Sequence, residues 1–496
     1  MKIKKLSRLL GFSLIASSLC LSSLSARDNC DAPYKKDIVH FADEHNPHNR
    51  LITVDSKNMK LLNTEGVEGS LNHHSDTMGE IRTAKYMMMV PKGSNFVTVR
   101  EIKSGKFVKK IKLPFRPRSA DAYNKKYNLV LLNSRDRPSA VLIDASKLKI
   151  VGKAGFNITC NKPNIVAPYQ GLYAEEDIDN LTCKTSDFGG DQISGHPIWI
   201  SSKAFVILDR SNRLLHIYSI HKSKIGWKTK LEQTIKTDTA LHQLIPRSKL
   251  FYNKTFFGMT ESNPSEGKKA GVYKFKRIGN NKLRKIKFTK LSKKDIKGIN
   301  GHNLYITPNK LYLYAPVGAT LQDGEIKRGG IFVVNAYSMR VKRFIQTGFG
   351  AGHVNFSKRY KIAMVTNHKD KYVTAIDYRR HRFIKNIPLK FKSENIFSLY
   401  QSHAPYIEPT GRFFYNFWTD GGVFFRINLK RLKLDKSVYT GGIPIQGNYY
   451  PKINQGCAED SILSIIDGYG NFFEDFIQSR TYNQIENAKN SNGYDK

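Results

Sequence analysis

Five segments of the chain carry a histidine followed three positions later by a large apolar residue. They are His196-Pro-Ile-Trp199, His242-Gln-Leu-Ile245, His302-Asn-Leu-Tyr305, His353-Val-Asn-Phe356 and His403-Ala-Pro-Tyr406. Their histidines are 46, 60, 51 and 50 residues apart. Ala120-Asp-Ala-Tyr123 fits the same slot without a histidine, and His73-His74 opens a further unit that ends near Pro114. Units therefore begin near 73, 120, 196, 242, 302, 353 and 403, and six of these seven open on a histidine in a chain that has 14. One such histidine would be explained by a capped turn. Repetition in one slot points instead to a shared site. Imidazole is the commonest nitrogen ligand of zinc and copper, so a converging set of imidazoles needs no cysteine to hold a metal. The expected ligands are His73, His74, His196, His242, His302, His353 and His403, and the expected metal is copper, with zinc as the alternative. A second cluster, His40, His45 and His48 with Asp43 and Glu44 between them, reads as a solvated arm able to hold a metal weakly or pass it on.

The elements that must position these residues are short strands. Arg50–Val54, Asn128–Leu132, Val141–Asp144, Ala204–Asp209, Leu214–Tyr218, Leu311–Tyr314, Gly330–Asn335, Lys361–Val365 and Gly422–Asn428 are rich in Val, Ile, Tyr and Phe and bounded by turn residues. A large all-β chain must manage its sheet edges by closure or by radial repetition. The period of roughly fifty residues selects repetition, one four-stranded blade per unit. The expected fold is an all-β, seven-bladed β-propeller. Leu51–Asp55 and Met59–Asn63 are left over at one end and Ile443–Ile453 at the other. If these combine to close the ring, the count becomes eight. In a propeller the first strand of each blade lines the axis, so equivalent slots converge at one mouth. The expected division is a signal peptide (1–26), an N-terminal arm with closing strands (27–64), the propeller (65–456), and a C-terminal segment (457–496) with a short helix over Ser461–Phe476.

The first 26 residues have a basic start (Lys2, Lys4, Lys5, Arg8), an apolar run from Leu9 to Leu21 and small residues up to Ala26. That is the pattern of a secretory signal peptide, which places the mature protein in the periplasm or outside the cell. Cleavage at Ala26 removes four positive charges from a net +40 and leaves +36. It also leaves Cys30, Cys160, Cys183 and Cys457, an even number in an exported chain. Three pairings are open; Cys160–Cys183 with Cys30–Cys457 is preferred, because it closes a local loop and ties the two ends. No Cys-x-x-Cys spacing is present, which excludes zinc-ribbon and iron–sulfur sites.

The pair His73-His74-Ser-Asp76, with a strand at Tyr86–Val90, resembles the paired-histidine motif of nitrous oxide reductase propellers. The segment Gly348-Phe-Gly350-Ala-Gly352-His353, followed by Ile362–Val365, resembles a histidine-bearing blade of the same superfamily, which includes thiocyanate dehydrogenase. The resemblance covers roughly residues 70–440 through short motifs. It implies a copper cluster on the propeller axis and a small inorganic anion as substrate. The sequence departs from that pattern at Asp76, where a third histidine is expected, and at Ala120-Asp121 in the next blade. The cupredoxin domain of nitrous oxide reductase, with its cysteine ligands, is absent. The resemblance therefore implies a thiocyanate dehydrogenase-like copper oxidoreductase, with Asp76 or the acids between Glu175 and Asp191 as oxygen ligands. The chain is also similar in plan to periplasmic zinc-chaperone propellers with a histidine-rich arm. That likeness implies a non-catalytic carrier with a metal client protein, or an envelope scaffold.

Residues 268–297 hold 13 Lys or Arg and one acid, Asp295. The alternation in Lys274-Phe-Lys276 and Lys285-Ile-Lys287 reads as a blade strand with one wet face, whose lysines deter edge pairing. Such a rim also suits an anionic envelope surface and draws in small anions. Nucleic acid is not an expected partner of an exported chain without base-stacking motifs. The sequence carries no P-loop, dinucleotide fingerprint or Gly-x-Ser-x-Gly.

Overall fold

A computed structural model describes residues between Asp37 and Tyr450, except 45–48, 69–72, 79–83, 92, 159–192, 249–253, 262–269, 302, 392–400, 402–404, 409 and 420. Its strands form eight antiparallel sheets of a β-propeller, and the described residues contain no helix. In chain order, blade 2 is His73–Thr77, Tyr86–Pro91, Phe96–Glu101 and Phe107–Lys112, running from the innermost strand outward. Blade 3 runs from Pro117–Asn124 to Lys149–Ala154, blade 4 from Ile198–Ser201 to Gly226–Lys236, and blade 5 from Leu241–Pro246 to Lys282–Lys290. Blade 6 is built on Ile296–Gly301, Tyr312–Gln322, Glu325–Asn335 and Val341–Gln346, with two short additional strands. Blade 7 runs from Ala351–Ser357 to Arg382–Pro388 and blade 8 from Tyr406–Ile407 to Lys433–Tyr439.

Blade 1 is made from both ends of the described chain. Ile443–Tyr450 is its innermost strand, and Ile38–Glu44, Arg50–Asp55 and Lys60–Gly66 complete it. The segments left over by a seven-fold count thus combine, and the ring has eight blades. The clasp is fixed by polar contacts as well as by the ladder: Arg50 donates to Asp43 and to the Thr440 carbonyl (2.8 Å).

The order within each blade follows from composition. Second strands such as Leu129–Ser134, Ala204–Asp209 and Ile362–Asn367 are buried along their whole length, because each is covered by the blades on both sides. They accordingly read as continuous apolar runs without strand alternation. Outermost strands are largely exposed and basic, as in Phe107–Lys112 and Lys282–Lys290. The basic run singled out in the sequence is, in its second half, the outer strand of blade 5.

Hairpin turns share a local device. An Asp, Asn or Ser side chain accepts backbone N–H groups two or three residues on: Asp144 from Ser146 and Lys147, Asn335 from Tyr337 and Ser338, Asp377 from Arg379 and Arg380. Four residues after each of these, Leu148, Met339 and His381 adopt φ of 50°, 60° and 53°. The Asx turn turns the chain, and the left-handed residue then sets it into the next strand.

Candidate metal centre

In blades 5 and 7 the histidine slot is a β-bulge. In blade 5 the ladder breaks register between Leu241 and Gln243, at His242, and in blade 7 between Ala351 and Val354, at Gly352-His353. Blade 3 has the same break between Ser119 and Ala122, at Ala120-Asp121. A bulge re-aims the side chain it carries, so the repeat preserves a backbone irregularity even where the histidine is replaced.

His196 lies two residues before the first strand of blade 4. Its N–H donates to the His242 carbonyl (3.0 Å), and the two rings meet edge to face with centroids 5.3 Å apart. Gly195 is required for this approach, since a Cβ there would lie 2.6 Å from the His242 carbonyl oxygen. His242 is buried, with Nδ1 3.0 Å from Glu261 Oε1. Glu261 is in turn held by Arg210 at 2.7 and 2.8 Å. An ionised carboxylate only accepts, so Nδ1 of His242 carries the proton, and in the neutral ring Nε2 is the lone-pair nitrogen.

The second pair is His353 and His368, whose ring centroids are 5.4 Å apart at 81°. Nδ1 of His353 meets Tyr305 Oη at 2.8 Å and Asn303 Nδ2 at 3.3 Å. His368 follows the second strand of blade 7, and its Nδ1 donates to the Gln401 carbonyl (2.7 Å). Burial lowers its pKa to about 4 against the opposing effect of that bond, so the ring is neutral and Nε2 again bears the lone pair. The glycine-rich segment before His353 is the seat of this ring. A Cβ on Gly352 would lie 2.2 Å from His368 Nε2, and Gly350 has φ of 70°. Leu304, which lies between Asn303 and Tyr305 of the second pair, donates its N–H to Gln243 Oε1 (2.9 Å), so blade 6 links the two pairs.

In both His242 and His368 a fixed acceptor on Nδ1 presents Nε2. That is the outer-shell arrangement of metal-binding histidines. Among the described residues, no group of three or more His, Cys, Asp or Glu side chains is placed to hold an ion. His302 and His403 lie outside the described residues, as do the acids from Glu175 to Asp191. His73 and His74 are placed by their backbone only, opposite Pro91 and Val90 on the innermost strand of blade 2. Asp76 is buried and its Oδ2 accepts the Ala120 N–H (2.8 Å), a contact that joins blades 2 and 3.

His40 is not on a solvated arm. It lies inside blade 1, with Nδ1 2.8 Å from Thr53 Oγ1 and Nε2 2.5 Å from the Ile102 carbonyl. His45 and His48, the four cysteines, the leader and the tail lie outside the described residues.

The histidine alignment missed a second slot, the residue just after each second strand. Arg135, Arg210, Glu261, His368 and Thr419 occupy it in blades 3, 4, 5, 7 and 8, and all are buried. The signal was present in the sequence: each is a polar residue that ends the most apolar run of its unit.

No protein-family model and no curated protein sequence matches the chain. Solved structures do. Dihydro-heme d1 dehydrogenase NirN in complex with DHE is 12% identical, with 85% of this chain and 76% of that one covered at a TM-score of 0.57. The Dos1 propeller is 8% identical, with 76% and 86% covered at a TM-score of 0.52. Apo AztD from Citrobacter koseri is 14% identical, with 83% and 98% covered at a TM-score of 0.49. At these identities the likeness is one of fold: the chain is a β-propeller.

Proposed function

We propose that this chain is an exported propeller whose histidines hold a metal, copper before zinc, that binds and acts on a small inorganic anion. The observation that carries the reading is the pairing of Glu261 with His242 and of the Gln401 carbonyl with His368. Each pairing places the Nδ1 proton on a fixed acceptor, which leaves Nε2 as the nitrogen a metal would take. A bound copper ion would supply the redox chemistry. Within the chain, His242 and His368 would ligate, Glu261 would hold the proton on His242 Nδ1, and Tyr305, against His353, would supply a hydroxyl for proton movement. The remaining ligands fall to His73, His74, His196, His302, His353 and His403, whose slots are equivalent in the repeat. The net charge of +40 favours approach of an anionic substrate.

The test is elemental analysis of the protein purified from its native envelope without chelators. Two or more copper atoms per chain, lost in a His242→Ala/His368→Ala variant with an unchanged far-UV spectrum, is the expected result. About one zinc, with no spectroscopic change on adding thiocyanate, would move the reading to a carrier that passes metal to a client protein. A metal-free protein that takes up neither ion would end both.

A further inference from the structure

The outermost strands of blades 6 and 7 border an open groove of 590 Å³ that the metal reading does not use. Five consecutive residues, Arg343 to Thr347, form its blade 6 wall. Successive residues of a strand point to opposite faces, so a groove bordered by all five runs along the strand's edge. Among the described residues, Val341–Gln346 is the last strand of its sheet and pairs on one side, with Glu325–Asn335. At about 3.3 Å per residue the edge offers roughly 17 Å, the length of an ordinary short strand.

The side chains around that edge are of one sign. Arg328, Arg343 and Arg382 line the groove and are exposed, and among the described residues no Asp or Glu lines it. His381 and Thr347 also line it and are buried, and His381 Nε2 and Thr347 Oγ1 have no hydrogen-bond partner among the described residues. The His381 ring is seated by Tyr314 Oη on Nδ1 (3.0 Å), and Arg343 donates to its carbonyl (3.0 Å). Phe383, 51% exposed, adds an apolar surface beside the arginines.

We propose that the groove receives an acidic segment of a partner protein as an added strand on the edge of blade 6, with its carboxylates on Arg328, Arg343 and Arg382. An exposed strand edge is a template for main-chain pairing, and alternate side chains of the incoming strand then set specificity. Guanidinium forks match carboxylates bidentately, which makes three of them around one groove a selective feature on an otherwise lysine-rich rim.

The test is fluorescence anisotropy of the mature protein with a labelled peptide of alternating Glu and Val. Arg343→Ala/Arg382→Ala should weaken binding at least tenfold, and Lys285→Ala/Lys287→Ala on the outer strand of blade 5 should leave it unchanged. An N-methylated peptide of the same charge should also bind at least tenfold more weakly. Should the double arginine variant fold poorly, Arg382→Glu alone carries the same expectation. Equal loss with both variant pairs would overturn the site, and equal binding of the N-methylated peptide would overturn strand addition. Competition by inorganic polyphosphate as strong as by unlabelled peptide would also overturn it, by showing a general anion surface.

Discussion

Two buried histidines of this propeller differ in what their second nitrogen does. His40 uses both: Nδ1 meets Thr53 Oγ1 and Nε2 meets the Ile102 carbonyl, so no lone pair remains for a metal. His242 uses Nδ1 on Glu261. Substitution should separate the two roles. Glu261→Ala removes the acceptor that holds the His242 tautomer, and should weaken metal binding 10- to 100-fold with the ring still present. Competition against a chelating dye measures this, and unchanged affinity would make Glu261 a partner of Arg210 alone. His40 should show itself in stability. Burial lowers its pKa to about 4, with the Ile102 bond opposing. The folded chain therefore stays unprotonated down to about pH 4, while the unfolded chain takes up a proton below about 6.5. The contribution of His40 is whole above pH 6.5 and falls by about 1.4 kcal/mol per pH unit between 6.5 and 4. In urea titrations the stability gap between the wild type and His40→Gln should narrow by about 2 kcal/mol from pH 7 to pH 5. A gap that stays constant would show that His40 is not held neutral.

At the scale of the element, the bulge and its glycines decide where an imidazole goes. Gly352 gives the His368 ring its place, because any Cβ there would overlap Nε2. Gly352→Ala should therefore displace the ring, cost about 1–3 kcal/mol and weaken metal uptake more than tenfold. Gly66→Ala is the control, since a Cβ at that position meets nothing within 4 Å. Thermal unfolding and metal titration of the two variants give the comparison. Equal metal binding in both would mean that His368 is a packing residue.

At the scale of the molecule, the ring is closed by one strand donated from the far end of the chain. Ile443–Tyr450 pairs with Ile38–Glu44 and lies beside the innermost strand of blade 2. A chain ending at Gly442 leaves blade 1 without its innermost strand and should lose its single cooperative unfolding transition. A chain ending at Tyr450 keeps the strand but lacks Cys457, and should keep that transition. If the second truncation also abolishes cooperativity, closure depends on the expected Cys30–Cys457 bridge as well as on the strand. Differential scanning calorimetry of the two chains distinguishes these outcomes.

Strand composition and the fifty-residue period were enough to determine an all-β propeller of four-stranded blades, because both are local properties of the chain. The recurrence of the histidine slot was also legible, and in blades 3, 5 and 7 it coincides with a bulge on the innermost strand. The count of eight was not, because the first and last strands of one blade are separated by nearly the whole chain, and only pairing in space joins Ile443–Tyr450 to Ile38–Glu44. The contrast between His40 and His242 was equally invisible: both are histidines near acidic or polar neighbours, and their difference lies in contacts with Ile102 and Glu261, made when distant strands pack together. His368 was missed for the same reason. Its place beside His353 comes from the end of the neighbouring strand in the same blade, and a slot alignment compares equivalent positions between blades without seeing across one.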